Sequence, residues 1–178
     1  MRENMNSTIE AISSTAFKPF GELITTPLTG GYSTNDGTAI RFDEVAKLDL
    51  TDYQGSPLLS IFRVMPISFP FTIRKLERHP HSSQAFIPLI SHPFLSIVAP
   101  PSDQIDPAKI KIFYVPSGQG VNYARGTWHH QVIALEKETS FLVVGRKGQD
   151  KNCDEIELQQ TILLKEGPVA QMDRAEVS

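Results

Sequence analysis

Residues 58–66 read LLSIFRVMP, and six later runs follow the same grammar: PFTIRKL (70–76), QAFIPLI (84–90), FLSIVAP (94–100), IKIFYVP (110–116), QVIAL (131–135) and SFLVVGR (140–146). Each is short and rich in β-branched or aromatic residues, and proline or glycine punctuates the series, which predicts strands rather than helices. The intervals leave no room for the crossover helices of a parallel α/β sheet, so the expected fold is mostly β, a sandwich or barrel. Thirteen prolines agree, because proline is tolerated at strand ends, edges and turns and damages helix interiors.

Outward from these runs the signals are local. In ISSTAFKPFGELIT (12–25), Phe17, Phe20, Leu23 and Ile24 recur at helical spacing while Pro19 and Gly21 cut the segment short, which predicts a brief helix or turn packed on the body. LTGGYSTNDGTAIRF (28–42) carries the turn signal Asn35-Asp36-Gly37 and reads as loop, then hairpin. EIELQQTILLKEG (155–167) fits a short final helix or strand, and PVAQMDRAEVS (168–178) has no apolar period. Residues 1–166 therefore read as a single domain and 167–178 as a loose tail.

Composition narrows the function classes. Of 178 residues, 40% are hydrophobic and 21% charged, the balance of an ordinary globular protein. A formal net charge of −3 with no basic stripe gives no pull toward nucleic acid. The start, MRENMNSTIEAISSTAF, lacks the apolar core of a secretory signal, and no apolar run is long enough to span a bilayer. Neither nucleic acid nor membrane is an expected partner, and the expected location is the cytoplasm. Cys153 is the single cysteine, unable to form an internal disulfide and outside any thiol-activating motif.

Chemistry concentrates in histidine. His79, His81, His129 and His130 fall in two distant stretches, LERHPHSSQAFIPL (76–89) and GVNYARGTWHHQVIAL (120–135), the pattern of a site assembled by folding. His79 and His81 are two apart, so an extended chain presents both on one face, with Gln84 shortly after. His129 and His130 are adjacent, so they cannot both line one cavity unless the backbone bulges. Glu77, Arg78 and Tyr123 are acid–base groups beside them. Arg63 is a charge inside an apolar strand, open on spacing alone to carboxylate binding or to the surface.

The first histidine stretch resembles the first metal-binding motif of cupin barrels, in which two such histidines and a glutamate hold a divalent ion. Gln84 stands near the glutamate's place, neutral and one position early. Gly126-Thr127-Trp128-His129 resembles the end of the second cupin motif, which on that alignment turns His129 inward and His130 outward. LERHPHSSQAFIPL, GQGVNYARGTWHH (118–130) and NCDE (152–155) together make the chain similar to the ureidoglycolate lyase family of allantoin degradation, from about Phe17 to Glu155.

That resemblance implies a cupin-like double-stranded β-helix, a jelly-roll barrel with a few short helices. It implies a homodimer that cleaves the C–N bond of (S)-ureidoglycolate to urea and glyoxylate. On it, His129 is the leading base or metal ligand, His79 its partner, Gln84 a hydrogen-bonding group or weak ligand, and Tyr123 a proton donor or oxyanion contact. Arg63 and Arg78 are the candidates for binding the substrate carboxylate, with His130 and Trp128 as flanking contacts. His79, His81, Gln84 and His129 are the implied ligands of a divalent metal, Ni²⁺ or another; no acidic ligand stands at the expected place, so a metal-free cup is the alternative. Two departures from the family pattern are Gln131, where proline follows the histidine pair, and Gly145, where an aspartate precedes the late arginine. Two further readings share the same pocket: a metal-dependent amidohydrolase that releases ammonia, and a non-catalytic module that binds a small carboxylate.

Overall fold

The computed structural model describes residues 4–6 and 8–166; the tail expected to be loose lies outside them. The chain opens with β1 (Asn4–Asn6), β2 (Ile9–Ala11), a one-turn helix α1 (Ser14–Phe17), β3 (Gly21–Ile24), β4 (Tyr32–Thr34) and β5 (Ala39–Arg41). Then follow β6 (Ser56–Val64), β7 (Phe71–Arg78), β8 (Gln84–Pro88), β9 (Phe94–Ala99), β10 (Lys111–Val115), β11 (Gly120–Tyr123) and β12 (Trp128–His129). The last are β13 (Ile133–Ala134), β14 (Thr139–Lys147) and β15 (Asp154–Leu164). All seven runs that predicted strands contain one.

Two curled sheets build the barrel. One has the order β1-β15-β7-β12-β9-β10-β2, with β13 also on β9, and the other β3-β11-β8-β14-β6. Between them lies an aromatic interior of Phe17, Phe86, Phe94, Phe113, Tyr123 and Phe141, each 0–1% exposed. Several ring pairs meet edge to face, as Phe94 and Phe141 do at 5.1 Å and 85°, and each buried ring stabilises the fold by about 1.5–3 kcal/mol through area alone. This is the cupin-like barrel that the sequence resemblance implies.

β9 shows why its run, FLSIVA, lacks alternation. Phe94 and Val98 face the aromatic interior, while Leu95, Ile97 and Ala99 face a second, aliphatic cluster with Ile73, Leu76, Trp128 and Ile162. A strand covered on both faces has no reason to alternate.

The peripheral readings fare unevenly. β4 and β5 form the expected hairpin, with Asn35, Asp36 and Gly37 all at positive φ in the turn. The brief helix or turn expected in residues 12–25 is α1 and the turn after it, the helix capped by the Ser13 hydroxyl accepting from the Ala16 N–H at 3.1 Å. Leu23 and Ile24 instead belong to β3, which pairs with β11. Pro19 has no N–H to continue the helical ladder, so the helix ends there and the apparent helical spacing beyond it is coincidental. The final segment is an eleven-residue strand rather than a helix, bulged against β7 between Glu157 and Ile162. Among the described residues no helix is long and apolar enough to cross a membrane.

Candidate active site

β7 and β12 carry the centre of the site. His129 on β12 stands directly opposite Glu77 on β7, and residues paired in this way share a face of the sheet. Lys75, Glu77 and His79 follow at alternate positions, His79 just past the strand end, and all three line a pocket of about 360 Å³. The opposite sheet contributes Gln84, the first residue of β8, and Phe62 from β6. Gly126, at φ +74°, supplies the turn before β12 and donates its N–H to the His79 carbonyl at 2.9 Å, which ties the two histidine segments together.

Glu77, His79 and His129 each offer a ligand atom, and these atoms all lie within 4.8 Å of one another. The two imidazole rings are 5.3 Å apart. His79 Nδ1 is 2.6 Å from the Asn152 carbonyl, which only accepts, so the proton sits on Nδ1 and Nε2 presents its lone pair. His129 Nδ1 faces two acceptors, the His130 carbonyl at 3.3 Å and Glu77 Oε1 at 3.9 Å, which assigns the same tautomer. His79 Nε2, His129 Nε2 and Gln84 Oε1 are buried with no hydrogen-bond partner among the described residues. Orphaned buried polar atoms are rare in native proteins, and three from one pocket mark a place where a ligand supplies the missing partner.

Electrostatics separates the members. His129 is fully buried, and that desolvation, reinforced by His79, lowers its pKa to about 3, so the ring is neutral at physiological pH. Burial also lowers the pKa of His130. Tyr123 stacks on His129 at 4.4 Å and 12°, and its hydroxyl exchanges a hydrogen bond with Ser96 at 3.0 Å; burial pushes its phenol well above the ordinary range. Tyr123 is thus a wall that fixes the His129 ring. Cys153 Sγ approaches Glu77 at 3.9 Å, and burial and that carboxylate raise its pKa, the opposite of an activated thiol.

The other sequence candidates lie elsewhere. His81 leaves the pocket because residues 80–81 form a turn, which ends the two-residue alternation; its ring packs on Tyr53 at 4.3 Å and its Nε2 is 3.6 Å from Asp150. Arg78 points to the opposite side of β7, with its guanidinium 4.7 Å over the Trp128 ring. Trp128 belongs to the aliphatic cluster and donates its indole N–H to the Ser102 carbonyl at 2.9 Å. Arg63 is 73% exposed beside Glu138. His130 lines the pocket together with Gln131.

Sequence reasoning gave no site role to three contributors. Glu77 is the acidic member of the cluster, and its position two residues before His79 was the available signal. Lys75 continues the same spacing. Asn152 had no local signal: its carbonyl sets the His79 tautomer from 73 residues away, while its amide accepts from the His81 N–H and donates to Ser82 Oγ.

Two imidazoles and a carboxylate, converging on a pocket between the sheets of a β-barrel, define a cupin-like enzyme with a donor set fit for acid–base or metal chemistry. The chain belongs to the ureidoglycolate lyase family, whose profile matches residues 4–165. A ureidoglycolate lyase of Pseudomonas syringae pv. tomato DC3000 is 44% identical over 163 residues, covering 90% of this chain and 96% of that protein. A ureidoglycolate lyase of Burkholderia mallei NCTC 10229 is 44% identical over 156 residues, covering 88% and 91%. Among solved structures, a dTDP sugar isomerase from Desulfovibrio desulfuricans G20 superposes with a TM-score of 0.46 at 10% identity over 78% of this chain and 85% of that one.

Proposed function

We propose that this pocket cleaves the C–N bond of (S)-ureidoglycolate to give urea and glyoxylate, in the breakdown of allantoin. The observation that carries the assignment is the convergence of Glu77, His79 and His129 on one pocket, in a chain whose relatives are named for this lyase. One substrate carbon bears a hydroxyl, a carboxylate and the urea nitrogen. Removing the hydroxyl proton lets the oxygen become the aldehyde carbonyl as the C–N bond breaks, and protonating the nitrogen lets urea leave; no water is consumed.

With no cation bound, His79 takes the hydroxyl proton at Nε2, the nitrogen left bare by the bond from Nδ1 to Asn152; with a cation on that nitrogen, Glu77 would take the proton through its free carboxylate oxygen. Glu77 is the second acid–base group, within reach of both rings. Of the two roles expected for His129, base or metal ligand, burial disfavours the imidazolium that a base becomes, so it serves as a neutral ligand or hydrogen-bond partner. Gln84 Oε1 accepts a hydrogen bond from the ureido group.

The same three residues fit a divalent cation: both imidazoles hold Nδ1 toward carbonyl acceptors and present Nε2, the arrangement that outer-shell bonds impose on metal-binding histidines. Nickel is the ion we assign, and when bound it supplies Lewis-acid stabilisation of the charge developing on oxygen. The pocket favours such an ion, since Glu77 and Glu155 outnumber Lys75 among its formal charges. Elemental analysis of untagged protein tests this: stoichiometric metal supports it, and full activity of the metal-free protein overturns it.

His79→Gln should lower kcat by roughly a hundredfold or more in a folded protein, and near-normal turnover would remove His79 from the mechanism. We further assign residues 1–166 to a single domain and the protein to a cytoplasmic homodimer. The exposed side of edge strand β6, where Leu59 and Ile61 are 66% and 59% exposed, with Met65 just past its end at 63%, is the surface that supports the dimer. A monomeric mass by light scattering would overturn it.

A further inference from the structure

None of the side-chain roles assigned so far gives the substrate carboxylate a cationic partner. Arg78 is committed elsewhere, donating from Nε to Asp154 at 3.1 Å and from Nη1 to the Ser102 carbonyl at 2.7 Å. Arg63 pairs with Glu138 at 3.4 Å on the surface. Of the residues that line the pocket, Lys75 alone carries an amine or guanidine cation.

We propose that Lys75 binds the substrate carboxylate and that Glu155, which holds Nζ at 2.7 Å, is its resident competitor. The inference rests on the ureidoglycolate reading and deepens it, by making a carboxylate next to the reacting carbon a requirement for recognition.

Three observations support it. Lys75, Glu77 and His79 occupy alternate positions on one face, steps of about 6.6 Å along the strand, so a lysine stem spans the gap to the reacting groups. The Lys75–Glu155 pair is 54% and 53% exposed, and an exposed ion pair contributes little, so exchanging Glu155 for a substrate carboxylate costs little. Glu155 also lines the pocket, which places the competitor beside the incoming anion rather than behind the lysine.

The two partners therefore have opposite effects on binding. Lys75→Met should raise KM for (S)-ureidoglycolate by roughly 10–100-fold with kcat changed by less than about threefold, the signature of lost ground-state binding. Lys75→Arg keeps the charge and should hold KM within about fivefold of the parent. Glu155→Gln releases the lysine and should lower KM by about two- to fivefold. A merely structural salt bridge would instead move KM in the same direction when either partner is removed.

The experiment is steady-state kinetics of the full-length parent and these three variants, with circular dichroism confirming the fold of each. Opposite shifts in KM for Lys75→Met and Glu155→Gln establish the inference. Parent turnover with an unchanged KM in Lys75→Met, or with KM raised by both substitutions, overturns it and leaves the lyase reading standing. No turnover by the parent overturns the lyase reading and this inference with it.

Discussion

Replacing His129 with glutamine should flatten the acid side of the stability profile of the metal-free protein. In the folded chain, burial and then the neighbouring His79 bring His129 down to about 3, whereas an unfolded chain returns it to about 6.5. Above pH 6.5 both states hold the ring neutral, and His129 adds nothing to the slope. As pH falls below that, the unfolded state takes up a proton that the folded state refuses, so stability is lost from about pH 6.5 down to about pH 3. At pH 5 the difference spans 1.5 units at 1.36 kcal/mol each, about 2 kcal/mol of stability lost relative to pH 8. For a domain of this size that corresponds to roughly 4–8 °C in Tm. Urea unfolding of chelator-treated parent and His129→Gln at several pH values measures it. The parent should lose about 2 kcal/mol more than the variant between pH 8 and pH 5. Parallel profiles would show that folded His129 accepts a proton, and would refute the view of it as a buried neutral ligand.

Two other substitutions probe the same centre. Glu77→Gln should lower kcat by roughly a hundredfold and weaken retention of divalent metal through dialysis, and unchanged turnover would exclude the carboxylate from proton transfer. Asn152→Ala removes bonds to the His81 N–H at 2.8 Å and Ser82 Oγ at 2.9 Å, so the fold should lose about 1–3 kcal/mol. The same change frees the segment whose carbonyl orients His79, so kcat should fall while KM holds; a drop in Tm with normal kcat would confine Asn152 to a structural role.

The strands were legible because their composition and spacing are local properties. Each apolar run between Leu58 and Arg146 contains a strand, and even the unalternating run at β9 is explained by burial on both faces. The brief helix or turn in residues 12–25 was legible too, but its helical spacing did not extend to Leu23 and Ile24, which pack as strand residues against β11, a distant partner that spacing cannot reveal. At the site, pairing the two histidine stretches identified His79, Gln84 and His129 correctly as neighbours of one pocket. His81 failed because the two-residue rule holds only while the chain stays extended, and Pro80 lies in a turn. The rule applied one step earlier, to Glu77 on the strand and His79 directly after its last residue, gives the pair that the fold uses. Arg78 misled for the same reason in reverse: one residue from Glu77, it emerges on the other face, under Asp154 and over Trp128. The contribution of Asn152 depends on a main-chain carbonyl, which no residue type announces.

The most direct test of the lyase assignment is product analysis. Purified, chelator-treated protein is incubated with (S)-ureidoglycolate, with and without added nickel, and urea, glyoxylate and ammonia are quantified. Urea and glyoxylate in equal amounts, with no ammonia, is the predicted result. Ammonia in place of urea, or substrate recovered intact under both conditions, would contradict it.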